Sequence, residues 1–338
     1  MAAVKKYLLF YPLFWSGYVY FLLSSKTPKL SYYSFRQLFC LTNGKLNDFM
    51  VSLGTKFRPK YELKKVEGIL GSLDLKDIKD ISDKIKHDGF YKFNIKLPME
   101  ICNDLMNFSL KTPAKVVPKP KQNGDRFVYD RKNLLGTRYQ FDEEALMSNR
   151  NIQDIVADET LIAVAQEYFG CKPLNDMVTM WWSTTYSKKA SSEAAQLYHF
   201  DMDRIKFLKF FIYLTDVTTN TGPHCYIRSS HKSLPEKLLR DGRLKDDEVN
   251  NFYKKEDVLE LTGKTGTILA VDTRGLHKGK PLIEGERLLF QLEFATNFFG
   301  QTYNKIKLEN VSNKLEKSLW KYAFVYNRFS YVDSTKAA

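Results

Sequence analysis

The 338-residue sequence has few of the residues that build small metal-binding or disulfide-bonded modules. It contains only five histidines and four cysteines, and no two cysteines form a C-x-x-C pair. A zinc finger or a disulfide-stapled module is therefore excluded, and reduced thiols in a cytoplasmic protein are expected. The sequence also lacks the G-x-x-x-x-G-K-[ST] and G-x-G-x-x-G loops, which excludes the commonest nucleotide-binding sites.

Positive charge exceeds negative charge, with 52 Lys and Arg against 39 Asp and Glu, for a net charge of +13. The lysines are spread along the whole chain rather than clustered, which is typical of a solvated surface, so no nucleic-acid partner is expected. The apolar share of 43% is sufficient for a sizeable core and argues against a disordered chain.

An uncharged, aromatic segment of 17 residues runs from Tyr7 to Leu23, after Lys5 and Lys6. Its length is at the lower limit of the roughly 17–25 residues that span a bilayer, and Pro12 and Gly17 interrupt it. Aromatic residues with flanking lysines favour a membrane interface. Two interpretations stay open: a helix buried against the domain, or peripheral membrane contact through residues 7–23.

The two halves of the chain differ in periodicity. Residues 73–87 have apolar residues at helical spacing and are followed by Asp88-Gly89, and residues 151–170 predict one helix that ends at Gly170. Four strand-like runs follow, at 177–186, 206–217, 266–273 and 287–295. This order predicts an α+β protein with a mainly β core, an antiparallel sandwich or barrel. We divide it into an N-terminal helical extension (1–70), a strand-rich domain (71–300) and a C-terminal helical tail (301–338).

The histidines point to a metal site. His199 and Asp201 form an H-x-D pair, and residues i and i+2 of a strand face the same side. His277, 76 residues beyond Asp201, follows another predicted strand and would complete a triad. Two imidazoles and one carboxylate are the ligands of non-heme Fe(II) oxygenases. His224 is a competing third ligand that we rank below His277, and His231 is predicted to be structural.

Cationic and aromatic residues near this triad are candidate binding residues. Arg287 opens a strand with apolar residues at alternate positions and lies on its more polar face, where a guanidinium can bind a carboxylate. Lys209 and Tyr213 share one face of their strand; the lysine either binds a carboxylate or extends to solvent. Trp182 and Arg204 are candidate substrate contacts, with core packing and an exposed surface position as their alternatives.

Three motifs together resemble the phytanoyl-CoA dioxygenase family of Fe(II)/2-oxoglutarate-dependent oxygenases. They are His199-x-Asp201, the run LTDVTTNTGPHCYIRSSHK and the run GTILAVDTRGLHKGKPLIEGERLLF, within roughly residues 150–295. The resemblance implies a double-stranded β-helix (a cupin-like jelly roll) with flanking helices. Iron would be bound by His199, Asp201 and His277, and 2-oxoglutarate by Arg287. Ser229 stands where the family usually has glycine, and Gly279 stands where many members have a hydroxyl that helps hold 2-oxoglutarate.

The resemblance also implies the reaction, which uses O2 and 2-oxoglutarate as co-substrates and releases succinate and CO2. Related halogenases replace the carboxylate ligand with a small residue, so Asp201 favours hydroxylation or desaturation of an unactivated C–H bond. The expected substrate is a small or lipid-like molecule. The alternatives are a catalytically inactive jelly-roll binding protein and a basic membrane-associated scaffold.

Overall fold

The computed structural model describes residues 2–120 and 124–331, so residues 332–338 of the predicted tail lie outside the described residues. The helices are α1 (Ala2–Ser24), α2 (Lys29–Thr42), α3 (Lys45–Phe57), α4 (Leu75–Asp88), α5 (Met99–Ser109), α6 (Glu143–Leu146), α7 (Arg150–Val156), α8 (Glu159–Phe169), α9 (Asp246–Asn250) and α10 (Asn313–Lys321). The strands are β1 (Lys65–Gly68), β2 (Gly71–Asp74), β3 (Phe90–Lys96), β4 (Lys115–Val117), β5 (Arg138–Gln140), β6 (Leu174–Ser183), β7 (Phe207–Tyr213), β8 (His224–Ile227), β9 (Val258–Leu261), β10 (Thr267–Val271), β11 (His277–Gly279), β12 (Arg287–Ala295), β13 (Ile306–Leu308) and β14 (Phe329–Tyr331).

Two antiparallel sheets form the β core. The larger has seven strands in the order β3-β10-β7-β12-β6-β5-β4, and the smaller has three in the order β11-β8-β9. All four strand-like runs of the sequence lie in the larger sheet, as β6, β7, β10 and β12. The predicted α+β class with a jelly-roll core and flanking helices is confirmed.

Side chains alternate across the larger sheet. On β12, Leu288, Phe290 and Leu292 belong to a large core that also contains residues of α4, α7 and α8. The intervening Leu289 packs instead with Trp181 and residues of the smaller sheet, in the interior between the two sheets. Arg287 therefore lies on the interior side, as the strand alternation predicts.

The three N-terminal helices pack on one region of the β core. Phe14 of α1 and Phe35 of α2 are buried in a cluster that includes Phe200 and Phe299. Helices α1 and α2 approach closely at Gly17, where an added Cβ would lie 1.7 Å from the Ser31 hydroxyl oxygen. In the part of the chain that the structure describes, no helix is long and apolar enough to cross a membrane.

The single helix predicted over residues 151–170 is wrong, because the chain forms two helices, α7 and α8, with a break at Ala157 and Asp158. Asp158 is the N-cap residue of α8, and its carboxylate accepts a hydrogen bond from the Thr160 N–H at 3.1 Å. The same buried carboxylate accepts from the Ile69 N–H at 3.1 Å and the Lys314 ammonium at 2.8 Å. Asp158 therefore caps the start of α8 and fixes two distant segments.

The helix predicted at residues 73–87 is confirmed as α4. Asp74 caps its first turn, and Gly89, with a φ of +89°, ends it in the left-handed conformation that favours glycine. In the described part of the C-terminal tail, α10 lies between β13 and β14, which pair in parallel.

Asp158→Ala would leave the Ile69 and Thr160 N–H groups and the Lys314 ammonium without this acceptor. We expect the free energy of unfolding to fall by about 2–4 kcal/mol, because a helix cap is lost and buried donors become unsatisfied. Urea unfolding measures the change. Asp80→Ala, at an exposed position of α4, is the control and should change it by less than about 0.5 kcal/mol. Equal losses in the two variants would contradict this role for Asp158.

Candidate active site

Backbone pairing brings the two predicted histidine ligands together. The His199 N–H donates to the His277 carbonyl at 3.0 Å, and the His277 N–H donates to the His199 carbonyl at 2.9 Å. Residues in such an antiparallel bridge have neighbouring side chains. The two imidazole rings accordingly lie with their centroids 4.2 Å apart.

The same hydrogen-bond pattern orients both imidazoles. Nδ1 of His199 is 2.9 Å from the Leu197 carbonyl, and Nδ1 of His277 is 2.9 Å from the Gly275 carbonyl. A carbonyl only accepts, so each Nδ1 carries the proton and each Nε2 presents a lone pair. Burial, and then the proximity of His277, lowers the pKa of His199 to about 3, and burial lowers that of His277. Both rings are therefore neutral near pH 7, as metal ligation requires.

The Asp201 carboxylate completes the group. Its oxygens lie 3.6 Å from Nε2 of His199 and 3.5 Å from Nε2 of His277. The three ligand atoms all lie within 4.8 Å of one another, which is close enough for one ion to contact all three. Two neutral imidazole nitrogens and a carboxylate match the donors of the 2-His-1-carboxylate iron site. The residues predicted as metal ligands thus fit a divalent metal.

Lys209 reaches this carboxylate from the interior face of β7. Its ammonium lies 2.7 Å from Asp201, 3.5 Å from Glu293 and 3.7 Å from Asp203. Burial alone would raise the pKa of Asp201, but the Lys209 charge and the two histidines hold it below its ordinary value. The sequence offered Lys209 as a candidate for binding 2-oxoglutarate, with a side chain that extends to solvent as the alternative, whereas the structure places its ammonium among three carboxylates.

A cavity of about 100 Å³ opens beside the two histidines. The residues that line it are Arg138, Trp181, Ala194, Ala195, His199, Phe211, His224, His277, Gly279, Arg287, Leu289 and Gln291. Two guanidinium groups therefore face this cavity, and no lining residue is acidic. This composition suits a small anion bound next to the metal ligands.

Neither arginine is neutralised by a carboxylate within this lining. Arg287 donates to the Gly222 carbonyl and to the Ser183 hydroxyl, the latter at 3.0 Å, and its buried Nε has no hydrogen-bond partner in the structure. Arg138 stacks 4.1 Å from the Trp181 ring, and its buried Nε also has no hydrogen-bond partner among the described residues. Burial and the nearby Arg287 lower the pKa of Arg138 to about 9. Two unsatisfied, buried N–H donors thus lie at one anion-sized cavity.

The sequence offered Arg138 only as the end of a basic loop, Arg126 to Arg138, that either contacts an acidic substrate group or lies on the surface. Arg138 stands at the start of β5, a strand of only three residues, 61 positions before His199. The local signal was an alternation in Arg-Tyr-Gln, in which Tyr139 is buried and its neighbours are partly exposed. So short a pattern does not identify a strand.

Three other predicted binding residues lie away from the triad. The Tyr213 hydroxyl donates to the Leu261 carbonyl at 2.6 Å and does not line the cavity. Trp182 is fully buried in the helix-facing core, stacked on Tyr129, because its neighbour Trp181 takes the interior face of β6.

Arg204 is also buried, and it forms a bidentate ion pair with Asp176, with nitrogen–oxygen distances between 2.8 and 3.0 Å. Its guanidinium is thus engaged, and it is not among the residues that line the cavity beside the histidines.

The remaining histidines have different positions. His224 lines the cavity, with its ring centroid 5.2 Å from that of His277, but it does not belong to the group of potential metal ligands. Nε2 of His231 lies 3.0 Å from the Lys86 carbonyl, a contact consistent with the structural role predicted for it.

Both departures from the family pattern have a local explanation. Ser229 has a φ of +60°, the left-handed conformation that glycine adopts without strain. An added Cβ at Gly279 would lie 3.6 Å from Nη2 of Arg287, so a side chain there would face the guanidinium. In this chain the Ser183 hydroxyl occupies a hydrogen-bonding position on that same nitrogen.

A second cleft, of about 190 Å³, also reaches the triad. It is lined by Tyr32, Arg36, His199, Phe200, Asp201, Met202, Asp203, Asp241, Gly242, Arg243 and Gln301. Helix α2 supplies two of these residues, so the N-terminal extension forms part of the wall. Unlike the cavity with the two arginines, this cleft contains charges of both signs.

Comparison with solved structures finds several proteins of similar fold. They include the iron-bound structure of EctD from S. alaskensis (16% identity, TM-score 0.46, covering 70% of this chain and 82% of EctD). HygX from Streptomyces hygroscopicus was solved with nickel, 2-oxoglutarate and hygromycin B. It is 13% identical to this chain with a TM-score of 0.46, and the match covers 70% of this chain and 93% of HygX. Because the identities and TM-scores are this low, neither similarity supports a functional assignment for this chain. No curated protein sequence matches this one.

The family model described as phytanoyl-CoA dioxygenase matches residues 123–283. This range includes all three potential metal ligands and ends four residues before Arg287. The region that carries the triad is therefore similar to the phytanoyl-CoA dioxygenase family, the family that the sequence motifs resemble.

Proposed function

We propose that this protein is an Fe(II)/2-oxoglutarate-dependent dioxygenase that hydroxylates or desaturates an unactivated C–H bond of a small or lipid-like substrate. The observation that carries the proposal is the convergence of His199, Asp201 and His277 beside a cavity that two arginines line. A metal ion with a purely structural role would not need an anion-binding cavity beside it.

The triad would hold iron through Nε2 of each histidine and the Asp201 carboxylate. Iron in this donor set, together with 2-oxoglutarate and O2, supplies the oxidising power that breaks the C–H bond and releases succinate and CO2. The carbonyl contacts of Leu197 and Gly275 keep each Nδ1 protonated, so the ligand nitrogens stay available.

Arg287 and Arg138 would bind the distal carboxylate of 2-oxoglutarate. Both have a buried Nε that lacks a partner in the structure, and a carboxylate accepts from such donors through strong charge-assisted hydrogen bonds. Trp181 stacks on Arg138 and holds that guanidinium in place. This arrangement would give Arg138 the role beside Arg287 for which the sequence offered Lys209 and Tyr213.

Lys209 would position the metal-binding carboxylate rather than contact the co-substrate. Its ion pair with Asp201 holds the carboxylate in one orientation, and Glu293 and Asp203 surround the same ammonium. The substrate would enter through the second cleft, where Tyr32, Arg36 and Arg243 form part of the wall. The co-substrate and the substrate would then occupy separate spaces on the triad.

Asp201→Ala tests the metal site. We expect Fe(II) affinity to fall at least about tenfold, because the only anionic ligand of the triad is lost, and succinate formation from 2-oxoglutarate to disappear. Metal titration and a succinate assay measure the two effects. Asp216→Ala removes an exposed carboxylate that pairs with Lys264 and should change neither.

If iron binding and 2-oxoglutarate turnover both survive in Asp201→Ala, the site assignment is wrong. If the unaltered chain binds iron but releases no succinate with any substrate tested, the protein is a binding module of the same fold instead.

Arg138→Met and Arg287→Met test the anion cavity. Each change removes charge-assisted hydrogen bonds, so we expect the Kd for 2-oxoglutarate to rise about 10- to 100-fold. Calorimetry on the Ni(II)-loaded protein measures binding without turnover, and the Ni(II) affinity should change by less than about threefold. Arg126→Met, which removes an arginine that pairs with Asp142 on the surface, is the matched control. Unchanged 2-oxoglutarate binding in both cavity variants would refute this assignment.

A further inference from the structure

Helix α1 has an outer face without charged side chains. Phe10, Phe14 and Gly17 face the protein. The large apolar and aromatic residues on the other side are between 36% and 84% exposed; they are Leu8, Leu9, Trp15, Val19, Tyr20, Leu22 and Leu23. No Asp, Glu, Lys or Arg occurs between residues 7 and 25. A helix whose outer side faces water ordinarily carries its charged residues there.

The apolar surface continues onto α2. Tyr33 is 52% exposed, and its ring packs against that of Phe10 with 5.9 Å between the centroids. Leu30, at the start of α2, is 67% exposed. We call the exposed apolar residues of α1 together with Leu30 and Tyr33 the outer face. A contiguous apolar surface of this kind marks an interaction site.

The charges around the outer face indicate which kind of partner it would bind. Lys26 and Lys29 are exposed just after the C-terminal end of α1, and Lys5 and Lys6 stand near its start in the sequence. The chain as a whole has a net charge of +13. Apolar and aromatic residues between clusters of lysines match a bilayer that has anionic headgroups, where Trp and Tyr favour the interfacial level.

The packing of α1 determines how it would meet a bilayer. One side of the helix is buried against α2 and Phe299 along its length, so only the opposite side is available to lipid. A helix held in this way lies in the plane of the interface and does not insert across it. This geometry agrees with the finding that no described helix is long and apolar enough to span a membrane.

The outer face also lies next to a large cleft. A cleft of about 480 Å³ borders the C-terminal end of α1 and is lined by residues 24–27 and by residues between 298 and 305. Gln301 lines this cleft and also the second cleft, which contains His199 and Asp201. A surface that docks here would therefore lie beside a cleft that shares Gln301 with the cleft at the triad.

We propose that the outer face docks on an anionic lipid bilayer, with α1 in the interfacial plane and the cleft at its end beside the lipid surface. Docking depends on α1 and α2 alone and does not require the proposed oxygenase activity.

Vesicle partitioning of the full chain tests the proposal. We expect sedimentation with vesicles of phosphatidylglycerol and phosphatidylcholine, and weaker binding to pure phosphatidylcholine. Val19→Glu with Leu23→Glu should lower the partition coefficient at least about tenfold, because two charges would enter the apolar contact. Leu75→Glu with Ile283→Glu is the matched control, since both residues are at least 60% exposed and lie off the outer face. The control should bind nearly as well as the unaltered chain.

A second variant leaves α1 unchanged. Lys26→Gln with Lys29→Gln should weaken binding to the anionic vesicles by about fivefold for each lysine, and this difference should vanish at high salt. Thermal unfolding and Ni(II) binding, compared with the unaltered chain, check that every variant is folded.

Three outcomes would overturn the proposal. The unaltered chain fails to bind the vesicles, or the glutamate variant and its control lose binding equally. In the third, the chain dimerises in gel filtration without binding vesicles and Val19→Glu with Leu23→Glu restores the monomer, so that the outer face is an interface between copies.

Discussion

The short backbone pairing between His199 and His277 is the interaction on which the candidate site depends. Two hydrogen bonds join segments that are 78 residues apart in sequence, and they hold the two imidazoles side by side. Carbonyls of Leu197 and Gly275, in the same two segments, then set the orientation of each ring. The position and the protonation of the ligands are thus decided by main-chain geometry, which side-chain substitutions elsewhere disturb little.

Around this pairing the charges are separated. Arg138 and Arg287 line one cavity without an acidic neighbour in its wall, whereas Lys209 lies among Asp201, Asp203 and Glu293, none of which lines that cavity. The cavity between the two arginines is therefore the space that would attract a dianion. The second cleft, with charges of both signs, discriminates less by charge and more by shape.

The sequence predicted those parts of the site that local periodicity controls. The i and i+2 spacing of His199 and Asp201, and the alternation along β12 that turns Arg287 inward, are properties of single strands. Periodicity does not determine which partner a side chain meets. Lys209 faces inward, which was one of the two alternatives that the sequence left open, and its partner Glu293 comes from the paired strand β12. Trp181 and Trp182 must face opposite sides, and only the assembled sheets decide which of them faces the cavity.

The break between α7 and α8 was missed for a similar reason, since the Asp158 carboxylate at this break is held by the distant residues Ile69 and Lys314.

The close approach of Gly17 to Ser31 has a mechanical consequence. An amphipathic helix that is joined to its domain by a flexible linker can rotate about its own axis until its apolar side contacts a partner. Here α1 contacts α2 so closely at Gly17 that no side chain larger than hydrogen fits there. The rotation of α1 about its own axis is therefore fixed before any partner binds. A rotation of α1 that would bury the outer face is therefore sterically blocked. The outer face stays exposed to solvent.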